Sequence, residues 1–196
     1  MIDYKADPMF WQRFLKCAGS YKGEIDGDFG SHSLQAAHDF EQKSIELGNE
    51  LGSFDGRSEG NIQTLLPPAQ RKAREFMKAV QDAGITVKII SGTRTFAEQD
   101  KLYRKGRDLP GPKVTNARGG QSNHNFGVAW DIGVFQSGQY LDESPLYRQV
   151  GDIGKGLGFE WGGDWRSFPD EPHFQIVPEE NLNEMAVKFE QGIAFV

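Results

Sequence analysis

Chemistry concentrates at two of the four histidines. His124 stands in Ser122-Asn123-His124-Asn125-Phe126-Gly127-Val128-Ala129-Trp130-Asp131, and His173 in Asp170-Glu171-Pro172-His173-Phe174. A catalytic zinc takes about three N/O ligands and leaves one position open for water. His124, Asp131 and His173 would supply those ligands. A fourth group would then take the proton from the water, and Asp170 and Glu171 both stand just before His173. The competing reading is a pair of ordinary surface His–Asp neighbourhoods. Each cluster follows a long loop and leads into a strand, which favours a site; spacing alone leaves the two readings level. His32 and His38 fall on a helix and read as surface residues.

The rest of the chain must position these groups. It has 196 residues, with 22 Lys+Arg against 28 Asp+Glu and a net charge of -6. A phosphate-binding face needs a basic surplus, so the balance argues against nucleic acid or an anionic membrane as partner. The single cysteine, Cys17, excludes an internal disulfide and a cysteine-rich zinc site, and reads as a core thiol. No apolar run approaches the roughly 20 residues of a membrane-spanning helix. The opening Met1-Ile2-Asp3-Tyr4-Lys5 lacks the basic-then-apolar pattern of a signal peptide.

The acidity is uneven: net -5 over residues 1–60 and -1 over 61–196. That shift coincides with a glycine-rich stretch, Gly48 to Gly60, and with Pro67-Pro68. A boundary is therefore expected near 55–67, giving segments 1–66 and 67–196. In the first, Asp7 and Pro8 open a helix carrying Phe10, Trp11, Phe14 and Leu15. A turn-rich loop follows, then a helix from Ser31 or Ser33 with Leu34, Ala37 and Phe40 inward, then a short helix from Ser58 through Leu65. In the second, helices are expected over 69–83, after the Thr95/Glu98 capping box, after Ser144-Pro145 and from Leu182 to Phe189. Strands are expected at 85–90, 128–134, 159–161 and 173–177, with a polar loop over 107–123. Mixed helices and strands without strict alternation indicate an α+β fold.

Ser122-x-His124-x-x-Gly127-x-Ala129-x-Asp131 resembles the first metal motif of the M15 (VanY-like) zinc peptidases. That family includes the D-Ala-D-Ala carboxypeptidases and the phage L-alanyl-D-glutamate endolysins. Asp170-x-Pro172-His173-Phe174 resembles the second motif, and Ser91-Gly92-Thr93-Arg94-Thr95 the upstream element whose Arg faces the substrate. Trp161-Gly162-Gly163-Asp164-Trp165 is similar to the stretch before the last ligand. The resemblance spans about residues 69–177. It implies a mixed helix and antiparallel-sheet domain with His124, Asp131 and His173 on zinc and Asp170 as general base. It also implies Arg94 on a substrate carboxylate or oxyanion, and Ser122 as a hydrogen-bonding group behind the ligands. Glu171 is the rival base. Trp161 and Trp165 either line the cleft or pack the core, and Gln99 and Arg118 read as solvated.

Residues 8–66 resemble the three-helix peptidoglycan-binding module, through Tyr21-x-Gly23-x-Ile25-Asp26-Gly27-x-Phe29-Gly30 and Ala36-Ala37-x-x-Phe40. That makes Tyr21, Asp26 and Phe29 candidate wall-binding residues; equally, Asp26-Gly27 forms a turn with Tyr21 and Phe29 in a small core. Together the resemblances imply a monomeric, endolysin-like peptidoglycan hydrolase that stays in the host bacterial cytoplasm until released to the wall. The Asp at position 170 implies the L-alanyl-D-glutamate endopeptidase branch. A D-Ala-D-Ala carboxypeptidase and a non-catalytic wall-binding protein are the alternatives; the intact set of His124, Asp131, His173 and Asp170 argues against the latter.

Overall fold

The Asp7 carboxylate accepts the Phe10 N–H at 3.2 Å, Pro8 takes the first helical position, and α1 runs Pro8–Cys17. The computed structural model describes residues 2–196. Helix α2, Ser31–Leu51, extends well into the glycine-rich stretch. Its buried stripe is Ser33, Ala36, Ala37, Phe40, Ser44 and Leu47, a helical repeat. Leu34, expected inward, lies off that stripe and is 50% exposed. Two short connections lead through α3, Gly56–Ile62, to α4, Pro67–Asp82.

Strand β1 spans Thr86–Ser91, and α5 spans Phe96–Arg104 behind the expected Thr95/Glu98 capping box. Strand β2, Ala129–Gln136, turns through Ser137-Gly138 into β3, Gln139–Leu141, which sequence reasoning missed. Both turn residues have positive φ, 50° and 80°, as a tight two-residue hairpin requires. Helix α6, Leu146–Gly156, β4, Glu160–Trp161, β5, His173–Gln175, and α7, Leu182–Gln191, complete the chain. The sheet is antiparallel throughout, in the order β1-β2-β5-β4 with β3 beside β2. The architecture is α+β, as expected. Among the described residues, no helix is long and apolar enough to cross a membrane.

The chain forms two compact units. One comprises the described residues up to Glu41, with Thr93–Gly127 and Pro178–Val196; the other comprises Gln42–Gly92 and Val128–Val177. The first has an aromatic core: Phe10 lies 5.1 Å from Phe189 and 5.4 Å from Phe96, and Phe126 lies 5.5 Å from Phe189. The second packs Ala73, Phe76, Met77 and Val80 of α4 against Trp130, Ile132, Val134 and Phe174 of the sheet. Phe76 and Phe174 approach to 4.7 Å.

This division does not fall at 66/67. Ile62 and Leu65 share one core with Ala69 and Ala73. The buried Arg74 reaches back from α4, placing both terminal nitrogens 2.8 Å from the Glu59 carboxylate and one 2.8 Å from the Gly52 carbonyl. The glycine-rich stretch is therefore part of the second unit. Conversely, the apolar face of α1 finds partners 86 and more residues away, which local periodicity does not encode.

Candidate metal centre

Strand pairing builds most of the site. β2 and β5 set Asp131 opposite His173, Trp130 opposite Phe174 and Ala129 opposite Gln175; β4 adds Glu160 opposite Gln175 and Trp161 opposite Phe174. Side chains alternate across a sheet. Trp130, Trp161 and Phe174 therefore enter the core, each at most 2% exposed. Asp131, His173, Gln175 and Glu160 share the other face.

His124 comes from a single turn of 3-10 helix, Asn123–Phe126, which ends where Gly127 takes a left-handed φ of 67°. A side chain at that φ is strained, so glycine suits the stop. The turn is fixed through its backbone. The Arg94 N–H donates to the His124 carbonyl at 3.1 Å. Asn125, fully buried, donates to the Arg94 and Thr95 carbonyls at 2.9 and 3.3 Å and accepts the Gly120 N–H at 3.0 Å.

His124, Asp131 and His173 each offer one ligand atom, and these atoms lie within 4.8 Å of one another. Asp131 Oδ1 is 3.2 Å from His173 Nδ1. Both imidazoles are buried, and Asp131 is partly so. Burial works against a charged His173, yet the Asp131 hydrogen bond and charge, helped by Gln175 and Asp170, outweigh it and hold the group above its ordinary pKa. The surroundings of His173 thus favour positive charge, whether a proton or a metal ion. Two imidazoles and one carboxylate converging this closely fit a zinc site.

Asp170 lies on the turn that delivers His173. Its N–H donates to the Gly162 carbonyl at 2.9 Å, and its carbonyl accepts the His173 N–H at 3.1 Å. Asp170 is half-buried as a residue, and its charge acts on His173. Glu171 is exposed, and its carbonyl accepts the Trp161 indole N–H at 2.8 Å. Gly162 is needed at its position, because a Cβ there would sit 2.5 Å from the Asp170 carbonyl oxygen and 2.9 Å from His173 Cβ.

The half-buried Arg94 donates to Gln99 Oε1 at 2.9 Å. Gln99, expected to be solvated, is instead fully buried and donates to the Ala117 carbonyl at 3.0 Å, tying Arg94 to the end of the long loop. Arg118 is exposed over the Tyr103 ring. Ser122 is half-buried, and its carbonyl accepts the Asn125 N–H at 2.9 Å, so it contributes backbone to the His124 turn.

Of the three wall-binding candidates, Tyr21 and Phe29 are buried and Asp26 is exposed. The buried Tyr21 donates its hydroxyl to the Glu24 carbonyl at 2.8 Å. Phe29 is buried in a stack with Tyr4. Asp26 accepts from Gln12 at 2.8 Å and from the Asp28 N–H at 3.0 Å, and these bonds, Gln12 first, hold its carboxyl below the usual range. Gln12, completely buried and missed from the sequence, organises the loop by also accepting the Gly27 N–H at 2.8 Å. Gln175 and Glu160 were missed as well. Their signal was present in the alternation: each is flanked by, or two residues from, a group whose face is known.

Residues 115–176, which include all three ligand candidates, match the M15 peptidase family described as D-alanyl-D-alanine carboxypeptidase. The chain belongs to this family of metallopeptidases. It is 40% identical over 128 residues to the peptidoglycan L-alanyl-D-glutamate endopeptidase CwlK of Bacillus subtilis, covering 58% of this chain and 74% of that one. It is 31% identical over 127 residues to the L-alanyl-D-glutamate peptidase of Listeria phage A118, covering 63% of this chain and 42% of the phage protein. Among solved structures it is similar to the L-Ala D-Glu endopeptidase ChiX of Serratia marcescens, at 27% identity and a TM-score of 0.49, covering 63% of this chain and 89% of that one.

Proposed function

We propose that this chain hydrolyses the bond between L-alanine and D-glutamate in the peptide stem of peptidoglycan, with a zinc ion held by His124, Asp131 and His173. The observation that carries this reading is the donor set: two buried imidazoles and a carboxylate meeting within 4.8 Å. Its substrate follows from relatives that are named for that bond. Zinc bound there would polarise the scissile carbonyl and acidify water. The remaining steps belong to the protein. Asp170 takes a proton from the attacking water and returns it to the leaving amine; its partial burial and the action of its charge on His173 support that role over the exposed Glu171. Arg94, steadied by Gln99, binds a substrate carboxylate or the developing oxyanion.

The test is mass spectrometry of purified murein digested with the protein, with and without chelator. The expected product has a new amino-terminal D-glutamate, and chelation abolishes it. Asp170→Asn should lower turnover by at least ~100-fold at unchanged zinc content, while Glu171→Gln stays near wild type. Release of free D-alanine without amino-terminal D-glutamate would instead make the enzyme a D-Ala-D-Ala carboxypeptidase. Near-full turnover in Asp170→Asn with a dead Glu171→Gln would move the base to Glu171.

A further inference from the structure

His173 and three neighbouring side chains form a closed circuit. Trp165 Nε1 donates to Glu160 Oε1 at 2.6 Å, Gln175 Nε2 donates to Glu160 Oε2 at 2.9 Å, and Gln175 Oε1 lies 2.9 Å from His173 Nε2. The circuit closes where the half-buried Trp165 ring packs on the His173 ring, with centroids 4.8 Å apart.

The direction of every hydrogen bond in this circuit is forced. An indole N–H only donates, and an ionised carboxylate only accepts. Glu160 therefore accepts a hydrogen bond from each neighbour, so Gln175 must turn its NH2 toward Glu160. That leaves the Gln175 carbonyl oxygen facing His173, and a carbonyl only accepts, so His173 must carry its proton on Nε2. In the neutral ring the lone pair then lies on Nδ1, the nitrogen beside Asp131. Strand pairing makes this possible, because Glu160 and Gln175 are cross-strand partners and Gln175 is two residues from His173 on the same face.

We infer that Gln175 is a positioning residue that, oriented by Glu160 and Trp165, fixes the His173 tautomer so that Nδ1 is the metal-binding nitrogen. This rests on the zinc reading above. Outer partners of a metal-bound His typically alter metal affinity 10- to 100-fold. A purely structural role for Glu160, an exposed residue, would not reach the metal.

The experiment measures zinc affinity by chelator competition on the full chain, with folding followed by thermal midpoint. Gln175→Met removes the acceptor and should weaken zinc about 10- to 100-fold. Glu160→Gln should also weaken it at least several-fold. The amide it introduces can turn its NH2 inward, which forces the Gln175 amide to flip and present a donor to Nε2. The double variant Glu160→Gln with Gln175→Glu restores the polarity: Trp165 donates to the amide oxygen at position 160, the NH2 there donates to the carboxylate at position 175, and that carboxylate accepts from Nε2. Its zinc affinity should return to within about threefold of wild type. Long-range 1H–15N spectra of the zinc-loaded wild type should show the His173 proton on Nε2. Wild-type zinc affinity in both single variants, failure of the double variant to recover, or a proton on Nδ1 would overturn the inference while leaving the zinc reading intact. A wild-type chain that takes up no zinc would overturn both.

Discussion

Replacing Gly162 by alanine probes whether the turn behind His173 sets the geometry of the site. The new Cβ would stand 2.5 Å from the Asp170 carbonyl oxygen, 2.9 Å from His173 Cβ and 3.2 Å from Asp170 Cβ. The nearest of these is backbone, so no side chain can rotate aside, and the approach is nearly an ångström short of ordinary 3.4 Å contact. The Asp170 carbonyl must move, and it carries the His173 N–H at 3.1 Å. Overpacking of this kind costs about 1–3 kcal/mol. A displacement near 1 Å in a reacting group costs on the order of 100-fold in rate. Gly162→Ala should therefore lose turnover on stem peptide by about two orders while remaining folded at 25 °C, with weakened zinc retention. Gly156→Ala is the control. It lies at the end of α6, a Cβ there meets nothing within 4 Å, and it should leave turnover unchanged. Gly162→Ala with turnover within threefold of wild type would show that the Asp170–His173 turn tolerates displacement, and the positional argument would fail.

Two further outcomes test the rest of the structure. Glu59→Met strands the Arg74 guanidinium, whose side chain is fully buried, and should cost about 3–5 kcal/mol in urea unfolding; adding Arg74→Met should recover a large part, and a single-variant loss under about 1 kcal/mol would contradict the pairing. Burial pushes the Cys17 thiol up to about 12, and its S–H donates to the Ile193 carbonyl at 3.4 Å. Thiol reagents at pH 8 should therefore label Cys17 only after denaturation. Because the folded value is raised, the stability it contributes is complete below about pH 9 and is lost as pH climbs toward 12. The stability of wild type relative to Cys17→Ala should fall across that window, and a pH-independent difference would refute the burial argument.

The metal donors were legible because two short motifs resemble those of a known family; their spacing alone left a site and a surface reading level. His124 and Asp131 are seven residues apart, Asp170 and His173 three, and the residue types that can bind a metal are few. The helices with clean apolar stripes were legible because their pattern is local. What stayed hidden depends on contacts distant in sequence. Nothing near Phe10 announces Phe96 of α5 or Phe189 of α7, whereas the Phe14 contact with Phe40 of α2 lies within the segment that local periodicity describes. Gln12, Arg74 and Gln99 look solvated in a sequence; each is buried because several backbone or carboxylate groups converge on it from elsewhere in the chain. The glycine-rich stretch helped to place a boundary near 55–67 by composition, but Arg74 crosses back to it with three hydrogen bonds.

The sheet shows why core and site are one specification rather than two. Trp130 and Asp131 are adjacent on β2, and His173 and Phe174 are adjacent on β5, with each pair facing its counterpart across the ladder. Successive side chains go to opposite faces, so the register that buries Trp130 against Phe76 and Phe159 also sets Asp131 beside His173. A slip of one residue would drive a carboxylate and an imidazole into the aromatic core and turn two large rings outward. The burial of Trp130, Trp161 and Phe174 therefore guards the metal donors against misregistration. The same alternation that makes Gln175 follow His173 at a distance of two residues places its amide within reach of the ring. Selection for a well-packed inner face thereby positions the groups on the other.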